Sequence, residues 1–220
     1  MKIIIGIPSG QRTNQLIEVC RSWKARGFNI CVLTWDTNTS MKMDFLDLYG
    51  DNPKDVLIYR EKRESFAINQ NLMMNALHGL EDYDWDVWIC GADDLFPGIR
   101  AEKLKEVAPK YDGKLLWCYD GLNPHLMTHP VVTRGYWEKV GGKVFDERYT
   151  HNFCDTHLMM TAADDIVKLI GIQFDHRWRA GGEDDIYRIG NASFAADKEK
   201  FIQQFGNNPK LPKIHQEILC

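Results

Sequence analysis

Along the first half of the chain, short runs of consecutive apolar residues alternate with stretches whose apolar residues recur every three or four positions. KIIIGIP predicts a strand buried on both faces, and the stretch after it carries Leu16, Ile17, Val19, Cys20 and Trp23 at helical spacing up to Gly27. FNICVLTWD predicts a second strand ending at Asp36, and DVLIYRE a third. SFAINQNLMMNALHGL predicts a helix, DWDVWICGADD a fourth strand, PGIRAEKLKEVAPKY a helix opened by Pro97, and KLLWCYDG a fifth strand. This alternation predicts an α/β fold: a Rossmann-like open, mostly parallel twisted sheet with helices on both faces.

From Asn123 the pattern is less regular. It predicts a short strand, a helix near 134–140, a turn at Gly141–Gly142, a helix near 155–163 and a strand ending at His176. The last residues, 191–220, read as a tail packed on the body or on a neighbouring copy, which leaves a homo-oligomer open. The expected organisation is one domain over 1–220, with a first half (1–120), a second half (121–190) and that tail.

Open parallel sheets bind ligands beyond the carboxyl ends of their strands. The polar residues at those ends are Pro8–Ser9, Asp36 and Asp93–Asp94. The last pair sets the chemical question, because adjacent carboxylates at the mouth of a buried strand repel unless a positive charge joins them. A hard cation such as Mg²⁺ or Mn²⁺ suits them, since it takes one or two carboxylates and completes its shell with substrate phosphates. The competing expectation is that both residues only cap the helix behind Pro97.

Composition narrows the picture further. With 220 residues and 44% hydrophobic content, a sizeable core is expected. No apolar run approaches the ~18 residues of a membrane span. The six cysteines are scattered without a C-x-x-C pair, as expected of free buried thiols in a cytoplasmic protein. A net charge of -4 gives no general reason to bind nucleic acid.

IIIGIPSGQR, Asp36 after ICVLTW, SFAINQNLMMNA, GADD, GGKVFDERYTHNFCDTHLMM and IQFDHRWRAGGEDD occur in the order and spacing of known segments. Together they resemble the nucleotide-sugar-dependent glycosyltransferases of the GT-A fold, particularly family 2, from the first strand to about residue 190. The resemblance implies an inverting transferase that moves a sugar from a nucleoside-diphosphate sugar, such as a UDP-sugar, to a hydroxyl acceptor with Mn²⁺ or Mg²⁺ as cofactor. It implies that 1–120 is the nucleotide-sugar-binding half and 121–190 the acceptor and catalytic half, that Asp94 and His176 hold the metal, and that Asp155 is the catalytic base. Pro8, Ser9, Arg12, Asp36, Asn69, Asp93, Arg177 and Arg179 would face the donor, with Trp178 a stacking platform. The acceptor would be a polysaccharide, a protein, a small molecule or a nucleic-acid base, nucleic acid entering only in that role.

The chain departs from the family pattern at Ile68, Asn71 and Gly91, the last replacing the first acid of the D-x-D element. Two other readings therefore stand beside the first: a non-catalytic nucleotide- or glycan-binding module, and a divalent-metal phosphoester hydrolase. A sugar nucleotidyltransferase is a weaker rival, for want of a glycine-rich basic opening loop. Asp155 has a plainer alternative as a helix N-cap, and His176 as a core histidine. The spacing of His125, His129, His151 and His157 matches no zinc motif, so they are assigned to structure or to the acceptor side.

Overall fold

The computed structural model describes residues 1–10, 12–35, 54–177 and 185–219. Asp36, Trp178, Arg179 and the Gly181–Gly182 pair lie outside the described residues.

An eight-stranded sheet organises the chain in the order β10-β8-β6-β7-β4-β1-β2-β3. Its strands are β1 (Ile3–Ser9), β2 (Asn29–Thr34), β3 (Val56–Tyr59), β4 (Val87–Cys90), β6 (Leu115–Tyr119), β7 (Val131–Thr133), β8 (Ile166–Gln173) and β10 (His215–Ile218). Among the described residues, only β7 of this sheet runs antiparallel to its neighbours, β4 and β6. Side chains alternate between the two faces along each central strand. Ile3, Ile5, Ile7, Val87 and Ile89 point into one core with Leu16, Trp23 and Leu104. Ile4, Trp88 and Cys90 point into the other with Met73, Trp137, Leu158 and Phe201. Burial on both faces explains why these strands read as apolar runs.

The first core is covered by α1 (Thr13–Ala25) and α3 (Ala101–Val107). The second is covered by α2 (Phe66–Leu77), α4 (Arg134–Lys139), α5 (Cys154–Thr161) and α7 (Phe194–Phe205); α6 (Asp185–Ala192) leads into α7. The buried face of α1 is Leu16, Ile17, Val19, Cys20 and Trp23, the five residues its spacing predicts.

Two expectations need correction. The helix expected from Pro97 begins at Ala101, because the chain first forms β5 (Leu95–Phe96) and pairs it antiparallel with β9 (Asp175–His176). Gly98 lets this segment pass β8, since a Cβ there would lie 2.0 Å from the Gln173 carbonyl oxygen. The tail is also more than a tail. It contains the whole of α7 and supplies β10, which lies parallel to β8 at the sheet edge.

α7 also braces the approach to α5. Asp197, in its first turn and fully buried, accepts hydrogen bonds from the backbone N–H groups of Thr150 (3.0 Å), His151 (2.9 Å) and Asn152 (3.0 Å), and from Lys200 Nζ (3.0 Å). Phe153 follows with φ 66°, a left-handed conformation that a bulky residue holds only when packing demands it, here against Phe194 and Phe201. Asp197→Ala should strand these donors in the interior and lower unfolding free energy by at least about 2 kcal/mol in urea titrations. The Asp197 carboxyl is held below the usual range: burial opposes this, but the backbone donors and Lys200 outweigh it. Its contribution is therefore present above the ordinary carboxylate pKa and lost as pH falls, so wild type and mutant should converge in acid.

Candidate active site

Ser9 ends β1, and Asp93 and Asp94 follow β4, so parallel pairing of these strands brings all three to one rim. There a cavity of about 220 Å³ is lined by Pro8, Ser9, Arg12, Asn69, Asp93, Asp94, Asp155 and His176. Eight of the residues singled out in the sequence thus meet in one place. The Arg177 side chain goes elsewhere. It lies over the Phe96 ring (3.8 Å) and pairs with Asp175 (2.9 Å) and Glu18 (3.5 Å), while its backbone N–H bonds the Asp94 carbonyl.

The charge between the two aspartates is Arg12. Its Nη1 lies 2.9 Å from Asp93 Oδ1 and 3.9 Å from Asp94 Oδ2, and Ser9 Oγ donates to Asp93 Oδ2 at 2.5 Å. On the far side, His176 Nε2 sits 3.3 Å from Asp94 Oδ1. Neither aspartate caps α3, whose N-cap is Arg100. Burial raises the Asp93 pKa despite the pull of Arg12 and Ser9.

His176 owes its position to the β5–β9 ribbon, which sets Leu95 opposite it, and to its own N–H, which bonds the Asp120 carbonyl at 3.0 Å. The Asp120 side chain stands 3.4 Å from His176 Nδ1, and His129 Nε2 stands 3.2 Å from the same nitrogen. Burial alone would lower the His176 pKa, but Asp120 and Asp94 outweigh it and push it up to about 9. Burial and the charge of His176 push His129 down to about 4. Asp120, His129 and His176 form a candidate cation site, with one ligand atom from each lying within 4.8 Å of the others.

Asp155 is not the N-cap of α5. That position is Phe153, and Asp155 lies in the first turn, where its Oδ1 accepts from its neighbour's N–H, Thr156 N, at 2.7 Å. Its carboxyl faces the cavity, and burial raises its pKa.

Sequence reasoning passed over Asp120 and Trp35, and assigned His129 to structure or to the acceptor side. Asp120 directly follows β6, so the strand-end rule that selected the others also selects it. Trp35 lines the cavity one residue after β2, with Arg63 over its ring at 5.7 Å. His129 carried no local signal, because its neighbours come from β4, from β9 and from Asp120 after β6. His151 also lines the cavity, whereas His125 is exposed and His157 pairs with Asp146 at 3.4 Å.

Two of the three departures from the family pattern, Gly91 and Asn71, have physical causes. A Cβ at Gly91 would meet Ile5 Cγ1 at 2.6 Å, leaving no room for a third acid. Asn71 is buried and pins the 144–147 segment. Its Nδ2 donates to the Phe145 carbonyl (2.9 Å) and Glu147 (3.1 Å), and its Oδ1 accepts from Val144 N (3.1 Å).

No family model matches the sequence. No curated protein matches it either. Among solved structures the chain is similar to the mannosyltransferase PcManGT from Pyrobaculum calidifontis, determined with GDP-Man and Mn²⁺: TM-score 0.66 and 13% identity, over 96% of this chain and 66% of that one. It is also similar to residues 1–349 of TarS from S. aureus (TM-score 0.55, 11% identity, 76% of this chain and 57% of that one). For the glycosyltransferase GlyE of Streptococcus pneumoniae TIGR4 the values are 0.54, 11%, 94% and 51%. The chain spans less than two thirds of the length of these structures. At such identities the likeness shows the fold, which is that of the GT-A nucleotide-sugar glycosyltransferases. Among the described residues no helix is long and apolar enough to cross a membrane.

Restoring the missing acid should harm the protein. Gly91→Asp must displace Ile5 from the core, and urea denaturation should show a loss of about 1–3 kcal/mol.

Proposed function

We propose that the protein is an inverting, divalent-metal-dependent glycosyltransferase that moves a sugar from a nucleoside-diphosphate sugar to a hydroxyl acceptor. The observation carrying this reading is that the Asp93–Asp94 pair, Arg12, His176 and Asp155 line one cavity at the carboxyl rim of a GT-A sheet. Asp94 and the Nε2 edge of His176, 3.3 Å apart, fit a cation bound to the donor diphosphate. When bound, that cation supplies Lewis-acid stabilisation of the leaving diphosphate.

The chain's own residues do the rest. Trp35 offers a ring face to the base, and Ser9 and Arg12 orient Asp93 toward the donor. The Asn69 side-chain oxygen, buried in the cavity wall without a hydrogen-bond partner, is an acceptor suited to a donor hydroxyl. Asp155 takes the proton of the acceptor hydroxyl as that oxygen bonds to the anomeric carbon. The bond from that carbon to the diphosphate breaks on the opposite face, which inverts the centre. A carboxylate whose pKa burial has raised is a better proton acceptor than a solvated one. Residues 1–120 would thus mainly hold the nucleotide and 121–190 the reacting groups. A second reading, a metal-dependent phosphoester hydrolase, draws on the His129–His176–Asp120 group and predicts turnover without an acceptor.

Asp155→Asn should keep donor affinity in calorimetry while transfer falls by ~10²–10⁴-fold. Wild-type transfer should decline as pH drops through the raised Asp155 pKa, because the base must be ionised, and the mutant's residual rate should lack that limb. Undiminished transfer by Asp155→Asn would remove it from catalysis.

A further inference from the structure

Asp120 and His129 have no part in the transfer step, yet both are buried and tightly oriented. His129 Nδ1 lies 2.9 Å from the Cys90 carbonyl oxygen. A carbonyl only accepts, so Nδ1 carries the hydrogen and the Nε2 lone pair is directed away from β4. That lone pair faces His176 Nδ1 at 3.2 Å, with Asp120 Oδ2 3.4 Å from the same nitrogen. Asp120 is held in turn by the N–H groups of Leu122 (3.0 Å) and Asn123 (3.2 Å) and by the Thr128 hydroxyl. The opposite edge of His176, Nε2, has Asp94 Oδ1 at 3.3 Å.

We propose that Asp120 Oδ2, His129 Nε2 and His176 Nδ1 form a second cation seat, separate from the one at Asp94, that takes a borderline divalent ion of the Zn²⁺ or Co²⁺ kind and discriminates against Mg²⁺. Two imidazoles and one carboxylate are the donor set such ions favour, whereas Mg²⁺ requires oxygen and keeps its waters. The spacing fits. Ligand bonds of about 2.05 Å at a tetrahedral angle place two nitrogens roughly 3.3 Å apart, against the observed 3.2 Å. Each ligand also has the outer partner that a metal ligand needs: the Cys90 carbonyl behind His129, Asp94 behind His176, and Leu122, Asn123 and Thr128 behind Asp120. His129 and His176 line the cavity, so a fourth coordination position opens toward it.

The two seats share one ring through opposite edges. A filled nitrogen-rich seat uses Nδ1 and leaves the hydrogen on Nε2, 3.3 Å from Asp94 Oδ1, so with both seats filled the donor's cation would be held by Asp94 without His176. Ion binding at this seat does not depend on the transfer reading and is measured without any donor.

The test is equilibrium dialysis of the full chain, stripped with chelator, against Zn²⁺, with Co²⁺ absorption reporting the coordination geometry. One Zn²⁺ should bind per chain, survive a hundredfold excess of Mg²⁺, and give intense low-coordinate Co²⁺ bands. His129→Gln should weaken Zn²⁺ at least ~100-fold, more than an outer-shell loss, and Asp94→Asn by no more than ~100-fold, as an outer-shell loss does. Asp120→Asn, close to isosteric, serves as the second variant and should also lose the ion, with circular dichroism confirming that each variant is folded. No Zn²⁺ on the wild type would mean a hydrogen-bonded histidine pair only. Zn²⁺ retained by folded His129→Gln or Asp120→Asn, or abolished by Asp94→Asn alone, would place the ion at Asp94. Each of these results overturns the proposal.

Discussion

Two carboxylates buried side by side at the end of a parallel strand are the constraint around which this rim is built. Each costs several kcal/mol to remove from water unless it is paired and hydrogen-bonded. Asp93 and Asp94 are both nearly inaccessible, and the positive charges that hold them come from opposite directions. Arg12 arrives from the start of α1 and lies between them; His176 arrives from β9 on the far side of Asp94. The unusual local features follow from this arrangement. The β5–β9 ribbon exists where the chain must deliver His176, and Gly98 is the residue that lets the ribbon lie against β8. Gln70 ties the middle of β1 to the end of β4, donating to the Gly6 and Gly91 carbonyls while accepting from Trp88.

The opposite wall is held by the end of the chain. Asp197 and the Asn152 bonds to Gly190 and Ser193 fix the turn that precedes Asp155, while Phe194 and Phe201 support the left-handed Phe153. A carboxylate proposed as a base is thus set on a helix whose first turn is braced from a second element. Such support is what holds a reacting group within the narrow range that transfer requires.

Much of this was legible in the sequence where a single element carries the signal. The apolar stripe of α1 and the two-faced burial of β1, β2 and β4 follow from spacing alone, as does the placement of Ser9 and Asp93–Asp94 on one rim. What escaped depends on contacts between distant segments. Pro97 suggested a helix start, but strand pairing with residues 175–176 holds that stretch extended. His215–Ile218 is too polar to read as a strand and becomes one at the edge, beside β8. The reason for Gly91 is the Ile5 side chain on the neighbouring strand. His129 becomes a site residue only because Cys90, Asp120 and His176 converge on it.

The central claim is that a cation at Asp94 holds a nucleoside diphosphate in this cavity. The direct measurement is calorimetric titration of UDP and GDP into wild type and Asp94→Asn, with and without Mn²⁺. The account predicts that wild type binds one of the diphosphates and needs the cation to do so. It predicts that Asp94→Asn loses this Mn²⁺-dependent binding while keeping its unfolding midpoint, because an amide brings no charge to the ion. Unchanged Mn²⁺-dependent binding by Asp94→Asn, or no diphosphate binding by wild type under either condition, would contradict it.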